Sequence, residues 1–320
     1  MQNRGPNNIL ILFIILLFFL LINFYLVRKF SIKPHALLNS KKNTTLFFGI
    51  ITSEESIQRR NITYNYWIKK VLKYGHNYVY CTKSPIESKY NWVQLKYWGF
   101  PNLAEDQNFD REVKRLTLAE YFLKNTTYDF FINPTDDVIV DPDRINELAS
   151  ILGSKYDTDL NLIMLGNCQT ITENNFSYLQ GGSGYIMTRR MAAEFVQHSK
   201  RWINETAGMQ DDYAITNFLN YVGKKPSDAA VPYMVGHGFR ELVTRGFSAR
   251  RIKKCPKNFY EPHCRQGVHK MEDIFIFHPL YMGVERGLKA WEVFQKLIHD
   301  PNHHYGYYNV YHTTHVCKFN

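Results

Sequence analysis

Nineteen consecutive residues near the start of the chain, Ile9–Val27 (ILILFIILLFFLLINFYLV), carry no charge and a single asparagine. At ~1.5 Å per residue a helix of that length reaches across a hydrocarbon core of ~30 Å. A cleaved leader is the alternative, but the apolar part of a leader is typically ~7–15 residues and ends in small side chains. This one runs instead into Tyr25, Leu26, Val27, Arg28 and Lys29. The run therefore predicts an uncleaved anchor, dividing the chain into a short tail 1–8, a transmembrane segment 9–27, a polar stem 28–44 and a domain 45–320. Flanking charge and sequons disagree about direction. Arg28, Lys29 and Lys33 outnumber Arg4, and basic residues favour the cytoplasmic side. Asn-x-Ser/Thr sequons at Asn43, Asn61, Asn125, Asn175 and Asn204 all follow the anchor and argue for a domain in the secretory lumen. Five cysteines suit an oxidising compartment; Cys255 and Cys264 are close enough in a loop-like stretch to pair, with buried free thiols as the plain alternative.

The 320 residues are 45% hydrophobic and 15% aromatic, which supports a sizeable core and excludes disorder as the main state. A net charge of +10 permits an anionic partner. The basic residues are scattered in short pairs (Arg59-Arg60, Arg250-Arg251, Lys253-Lys254) with no stripe or recognition motif, so nucleic acid is set aside as a partner.

Beyond the stem, 45–53 (TLFFGIITS) reads as a fully buried strand closed by polar residues. Helices are predicted over 61–75 and 111–125, and strands over 76–82 and 128–133. Asp141, Pro142 and Asp143 have the composition of a helix start; Ile145, Leu148, Ala149 and Leu152 share one face, and Gly153 is placed to end it. A strand over 161–166 and helices over 189–199 and 211–223 follow. The alternation predicts an α/β layered fold with a largely parallel sheet, where ligands bind beyond the carboxyl ends of the strands.

Four features carry chemistry. Asp136 and Asp137 end the predicted strand 128–133; two adjacent carboxylates there need a cation or several donors, although a local turn would also use them. Gly181, Gly182 and Gly184 permit a bend and a close ligand approach, or simply a turn; no Lys-Ser/Thr follows, so this is not a P-loop. Asp211 and Asp212 open a predicted helix, either as dipole partners or with one of them as a general base. His278 ends the apolar stretch 274–277, as a core histidine or a metal ligand.

Their order resembles the fringe and core 1 β3-galactosyltransferase group, inverting glycosyltransferases of the Rossmann-like GT-A fold. That group carries Asp-Asp-Asp after a strand, then Gly-Gly-Ala-Gly-Tyr, an acidic pair at a helix start and Phe-His. Here the positions read Thr135-Asp136-Asp137, Gly181-Gly182-Ser183-Gly184-Tyr185, Asp211-Asp212 and Phe277-His278, and the opening from Gly49 through Trp67 is similar as well. The resemblance spans about residues 45–300.

It implies a GT-A domain behind the anchor, set in the Golgi or ER membrane with its catalytic part lumenal. It implies a divalent cation, usually manganese, held by Asp137 and His278, with Asp136 beside the nucleotide sugar and as a further expected metal ligand. Thr52, Arg59 and Arg60 are expected near UDP, and Gly181, Gly182 and Tyr185 near the transferred sugar. Asp212, or else Asp211, is expected as the base, and a β-1,3 linkage as the product. The expected partners are a UDP-sugar, a glycan or glycoprotein acceptor and the membrane; a second copy of the chain is an option. Thr135, where the group has an acid, is a departure, and the group includes a chaperone-like inactive relative. A catalytically silent or glycan-binding protein of the same fold is therefore the alternative.

Overall fold

The strand β1 (Leu46–Ile51) is apolar and buried at all six positions. Successive side chains of a strand point to opposite faces, and they divide here accordingly. Leu46, Phe48 and Ile50 enter one apolar cluster, while Phe47 and Ile51 enter another. Each fully buried side chain of this kind stabilises by roughly 1.5–3 kcal/mol. The computed structural model describes residues 43–96, 107–171, 174–206, 209–235, 252–255, 268–270, 273–280, 283–299, 304–308, 310–311 and 314–316. The expected transmembrane segment 9–27 and Cys264 lie outside them; among the described residues no helix is long and apolar enough to cross a membrane.

β1 pairs in parallel with β2 (Asn77–Thr82) and with β4 (Phe130–Ile132), and β2 pairs in parallel with β3 (Trp92–Gln94). The parallel sheet thus covers four strands. Past β4 every pairing is antiparallel: β4 to β7 (Phe176–Thr188), β7 to β6 (Met164–Ile171), β6 to β14 (Thr314–Val316), and β14 to β13 (Val310–Tyr311). A small sheet joins β5 (Ile139–Val140), β11 (Ile276–Phe277) and β8 (Met234–Val235); another joins β9 (Ile252–Cys255), β12 (His304–Tyr308) and β10 (Val268–Lys270).

Helices cover both faces. On one lies α1, which begins at Ile57–Thr63, continues through a π-helical turn at Tyr64–Ile68 and finishes at Lys69–Lys73. Its Trp67 meets Phe48 edge-on at 5.2 Å and donates to the Val138 carbonyl, pinning the chain just after the acidic pair. On the other face α2 (Gln107–Asn125) packs Phe122 against Phe47 and Phe131. The remaining helices are α3 (Ile145–Lys155), α4 (Arg189–Gln197), α5 (Ser199–Thr206), α6 (Asp211–Tyr221) and α7 (Val284–Ile298). Thr188 caps α4 by accepting from the Met191 amide.

Three local expectations are corrected. Asp141 does not cap α3: its carboxylate accepts the Asp143 amide in a local turn, and the helix begins four residues later. Gly153 does not end that helix but lies inside it, where a Cβ would meet the Thr44 hydroxyl. The glycine cluster is not a turn. It lies within β7, where Asn167 pairs with Gln180 and the neighbouring Gly166 pairs with Tyr185, so that residues 181–184 are extruded from the ladder. Gly184 has φ +88°, and an added Cβ would sit 2.5 Å from the Asn133 carbonyl oxygen, so glycine is required there.

Of the cysteines, Cys168 is disulfide-bonded and Cys81, buried in β2, is a free thiol.

Candidate active site

Three ends of the sheet meet at one cavity of about 650 Å³. β1 delivers Thr52, the continuation of β4 delivers Thr135–Asp137, and the extrusion from β7 delivers Gly182; α2, α6 and the segment after β11 close the remaining sides. The β4 extension is held by main-chain bonds from the Ile51 amide to the Pro134 carbonyl and from the Asp136 amide to the Ile51 carbonyl. A strand that stays paired up to the acids explains why Asp136 and Asp137 are buried at its tip.

The two acids diverge. Asp136 accepts from the Thr52 hydroxyl at 2.5 Å. Burial, and then the adjacent Asp137 charge, push its carboxyl up to about 6. Asp137 turns toward His278, with Oδ1 2.9 Å from Nε2. Burial works against its charge, but the facing imidazole and the hydrogen bonds from His278 and Thr135 hold it well below the usual carboxylate range. The Leu280 amide also donates to the Asp137 carbonyl at 3.0 Å, fastening the histidine segment to the acidic one. Thr135 contacts Asp137 Oδ1 and stands 2.8 Å from the Gly182 carbonyl oxygen. Both neighbours are acceptors, so one hydroxyl proton serves the two. A carboxylate in place of Thr135 would set like charges together and repel the glycine carbonyl.

Gly182 lies against His278: a Cβ added there would stand 2.3 Å from the imidazole. The Gly181 amide donates to Asp212 Oδ1 at 2.7 Å. Burial, followed by the Asp211 charge, raises Asp212 to about 7. Asp211 turns the other way, into a salt bridge of 2.9 Å with Arg115 and a longer one of 3.7 Å with Arg111.

Arg115, fully buried on α2, was not singled out from the sequence. It donates to Asp211, to the Gly181 carbonyl and to both the backbone and side-chain oxygens of Asn133, and its guanidinium lies 4.7 Å from the centroid of the Tyr185 ring. Lys114 donates to the Thr52 carbonyl at 2.8 Å and pairs with Asp110 at 2.8 Å. The signal available was the density of charge in Asp110–Arg115.

Of the expected nucleotide-sugar residues, Thr52, Arg59, Asp136 and Gly182 line the cavity. Arg59 is half-exposed and approaches Asp136 at 3.7 Å and Asp137 at 3.5 Å. Arg60 is a correction: it is 1% exposed, and its guanidinium braces the Ser53 and Glu54 carbonyls and pairs with Glu87. Tyr185 is a second correction, since its ring is wholly buried beneath Arg115. Gly181 acts through its amide on Asp212, away from the cavity lining.

Among the described residues no three His, Cys, Asp or Glu side chains form a ready coordination sphere. The adjoining Asp137 carboxylate and His278 imidazole are one oxygen and one nitrogen donor. Mn²⁺ and similar divalent ions accept such a pair when a substrate supplies further oxygens. The donor chemistry fits.

No family model and no curated protein matches this chain. Among solved structures it is similar to a glycosyltransferase involved in glycosylation of the major capsid of PBCV-1 (13% identity over 79% of this chain and 98% of the other, TM-score 0.41). It is also similar to the galactosyltransferase LgtC in complex with donor and acceptor sugar analogs (10% identity, 80% and 97% covered, TM-score 0.47). A third likeness is to the glycosyltransferase GlyE of Streptococcus pneumoniae TIGR4 (12% identity, 79% and 60% covered, TM-score 0.36). All three scores fall below 0.5, so no chemistry is carried across from them.

Proposed function

We propose that this domain is an inverting, metal-dependent glycosyltransferase of the GT-A fold. It moves a hexose or N-acetylhexosamine from a UDP-sugar to a hydroxyl of a glycan or glycoprotein. The observation that carries this reading is the convergence on one cavity of the Asp137–His278 pair, the cationic Arg59 and an Asp212 carboxyl raised to about 7.

Asp212 Oδ1 is engaged by the Gly181 amide, so Oδ2 is the oxygen placed to take a proton. As it takes the acceptor's hydroxyl proton, the acceptor oxygen forms its bond to the anomeric carbon. The bond from that carbon to the diphosphate breaks on the opposite side, UDP leaves with the electron pair and the configuration inverts. General-base assistance of this kind is worth ~10²–10⁴-fold. Asp137 and His278 would hold the divalent ion, whose charge, when bound, stabilises the departing diphosphate. Arg59 adds a positive charge on the same side. The order of the motifs favours the fringe and core 1 β3-galactosyltransferase group, and with it a β-1,3 linkage. The sequons and the Cys168 disulfide favour a lumenal domain on a type II Golgi or ER anchor. A silent chaperone-like relative would have no chemical use for Asp137, His278 and Asp212 facing one cavity.

The test is UDP release by the purified protein from a panel of UDP-sugars. Release should depend on Mn²⁺, stop with EDTA and fall at least about 100-fold in His278→Ala, since the proposed Asp137–His278 pair loses its nitrogen donor. Donor hydrolysis that survives EDTA would contradict the metal assignment.

Thr135 adds a second check. If its hydroxyl orients Asp137, Thr135→Val should weaken Mn²⁺ binding by roughly 10–100-fold while Thr135→Ser retains it, as read by paramagnetic resonance titration. Equal affinities in the two variants would mean that the hydroxyl orients nothing.

A further inference from the structure

The outer half of β7 carries an aromatic corner that none of the chemistry above uses. Phe176 and Tyr178, two apart and so on one face of the strand, hold their rings nearly parallel, at 13° with centroids 6.3 Å apart. Tyr213, in the first turn of α6, meets both at steep angles, with centroids 5.5 Å from Phe176 and 5.4 Å from Tyr178. Phe176 keeps 38% of its surface exposed, and both tyrosines are partly exposed. The three rings touch one another, and none belongs to either buried apolar cluster.

The corner stands on the two elements that carry the proposed base and the amide holding it, although its rings do not themselves line the cavity. Tyr213 is in the same first turn of α6 as Asp212, which lines the cavity together with Gln210. Tyr178 lies three residues along the same strand from Gly181, whose amide holds Asp212. At ~3.3 Å per residue the corner begins roughly 10 Å from the proposed base, about one to two sugar units away.

It also has a polar edge. The Tyr178 hydroxyl donates to Gln169 Oε1 at 3.1 Å; the Gln169 amide donates to Gln180 Oε1 at 3.1 Å, which also accepts from Asn167 at 2.8 Å. A pyranose has a C–H face, and flat aromatic rings complement it.

We propose that Phe176, Tyr178 and Tyr213 form a subsite for the sugar ring lying behind the reacting hydroxyl, so that the acceptor is an oligosaccharide or a glycosylated chain rather than a monosaccharide. The direction in which the acceptor lies rests on the transferase reading; binding at the corner does not.

The test is calorimetric titration of the purified protein with di- and trisaccharides ending in galactose, N-acetylgalactosamine or N-acetylglucosamine, beside the matching methyl glycosides. At least one oligosaccharide should bind more tightly than its terminal methyl glycoside. Phe176→Ala and Tyr213→Ala should each weaken that binding roughly three- to tenfold, while Phe176→Tyr and Tyr213→Phe keep it. UDP affinity and acceptor-free UDP-sugar hydrolysis should stay at the wild-type level in all four variants. The proposal is overturned if no oligosaccharide in the panel binds, if both alanine variants bind as the wild type does, or if UDP affinity falls in parallel. Glycan binding that responds as stated in a protein that binds no UDP-sugar leaves the subsite standing and removes the transferase reading. Mn²⁺-dependent hydrolysis with glycan binding indifferent to the substitutions does the reverse.

Discussion

Asp212→Asn is expected to slow glycosyl transfer by ~10²–10⁴-fold and at the same time to raise the melting temperature above pH 7. Both effects follow from one property, a carboxyl held near 7 by burial and by the neighbouring Asp211 charge. An unfolded aspartate titrates near ~3.9, so the folded state binds the Asp212 proton more strongly. The stability this contributes is complete below about pH 4 and is lost as pH rises through about 7. Above that, the folded protein carries an ionised carboxylate in a poorly solvated place. Asparagine keeps the acceptor for the Gly181 amide without that charge, and the gain at pH 8 is on the order of 2 kcal/mol once the solvent admitted by the cavity is allowed for. Activity should run oppositely in the wild type, with kcat/KM rising with pH through about 7 as the base deprotonates. The measurements are kcat at saturating acceptor and melting temperatures between pH 5 and 8.5. An unimpaired kcat in the variant removes Asp212 as the base; an unchanged melting trend removes the account of its environment.

The second large effect is structural. Arg115→Met should destabilise the domain by about 3–5 kcal/mol, because among the described residues it leaves buried Asp211 with the longer, half-exposed Arg111 contact as its remaining ion pair. It also withdraws donors from Asn133 and Gly181, which sit on either side of the candidate site. Urea unfolding at neutral pH measures the loss. Removing both charges in Arg115→Met with Asp211→Asn should recover a large part of it, since the cost lies mainly in the stranded carboxylate. A double variant no more stable than the single one would show that packing around the guanidinium, and not its charge, holds the site together.

Much of this arrangement was legible in the sequence, for identifiable reasons. β1 and β4 are apolar without interruption because the sheet is covered on both faces, and the segments that follow them carry polar residues that meet at the cavity. Three pairs of adjacent like residues each split, and only Arg59-Arg60 had been expected to act together. Asp136 turns to Thr52 and Asp137 to His278. Asp211 turns to Arg115 and Asp212 to Gly181. Arg59 faces the cavity, whereas Arg60 enters the interior. A helix turns neighbours apart by about 100° and a strand by about 180°, so adjacency in sequence predicts separation in space. Gly153 and Asp141 failed for other reasons: Gly153 packs against Thr44, distant in the chain, and the Asp141 carboxylate is taken by the Asp143 amide while its own amide donates to the Phe275 carbonyl. The role of Arg115 depends in the same way on three elements meeting around it.

Cys81 carries a final consequence. Burial pushes its thiol far up, and it sits in a central strand of a chain that also holds a disulfide at Cys168. Exchange requires a thiolate that can reach sulfur. A sulfhydryl sealed in this way neither scrambles that bridge nor takes up alkylating reagents until the sheet itself opens. Its labelling is therefore a clock for unfolding, built into the molecule and needing no engineered probe.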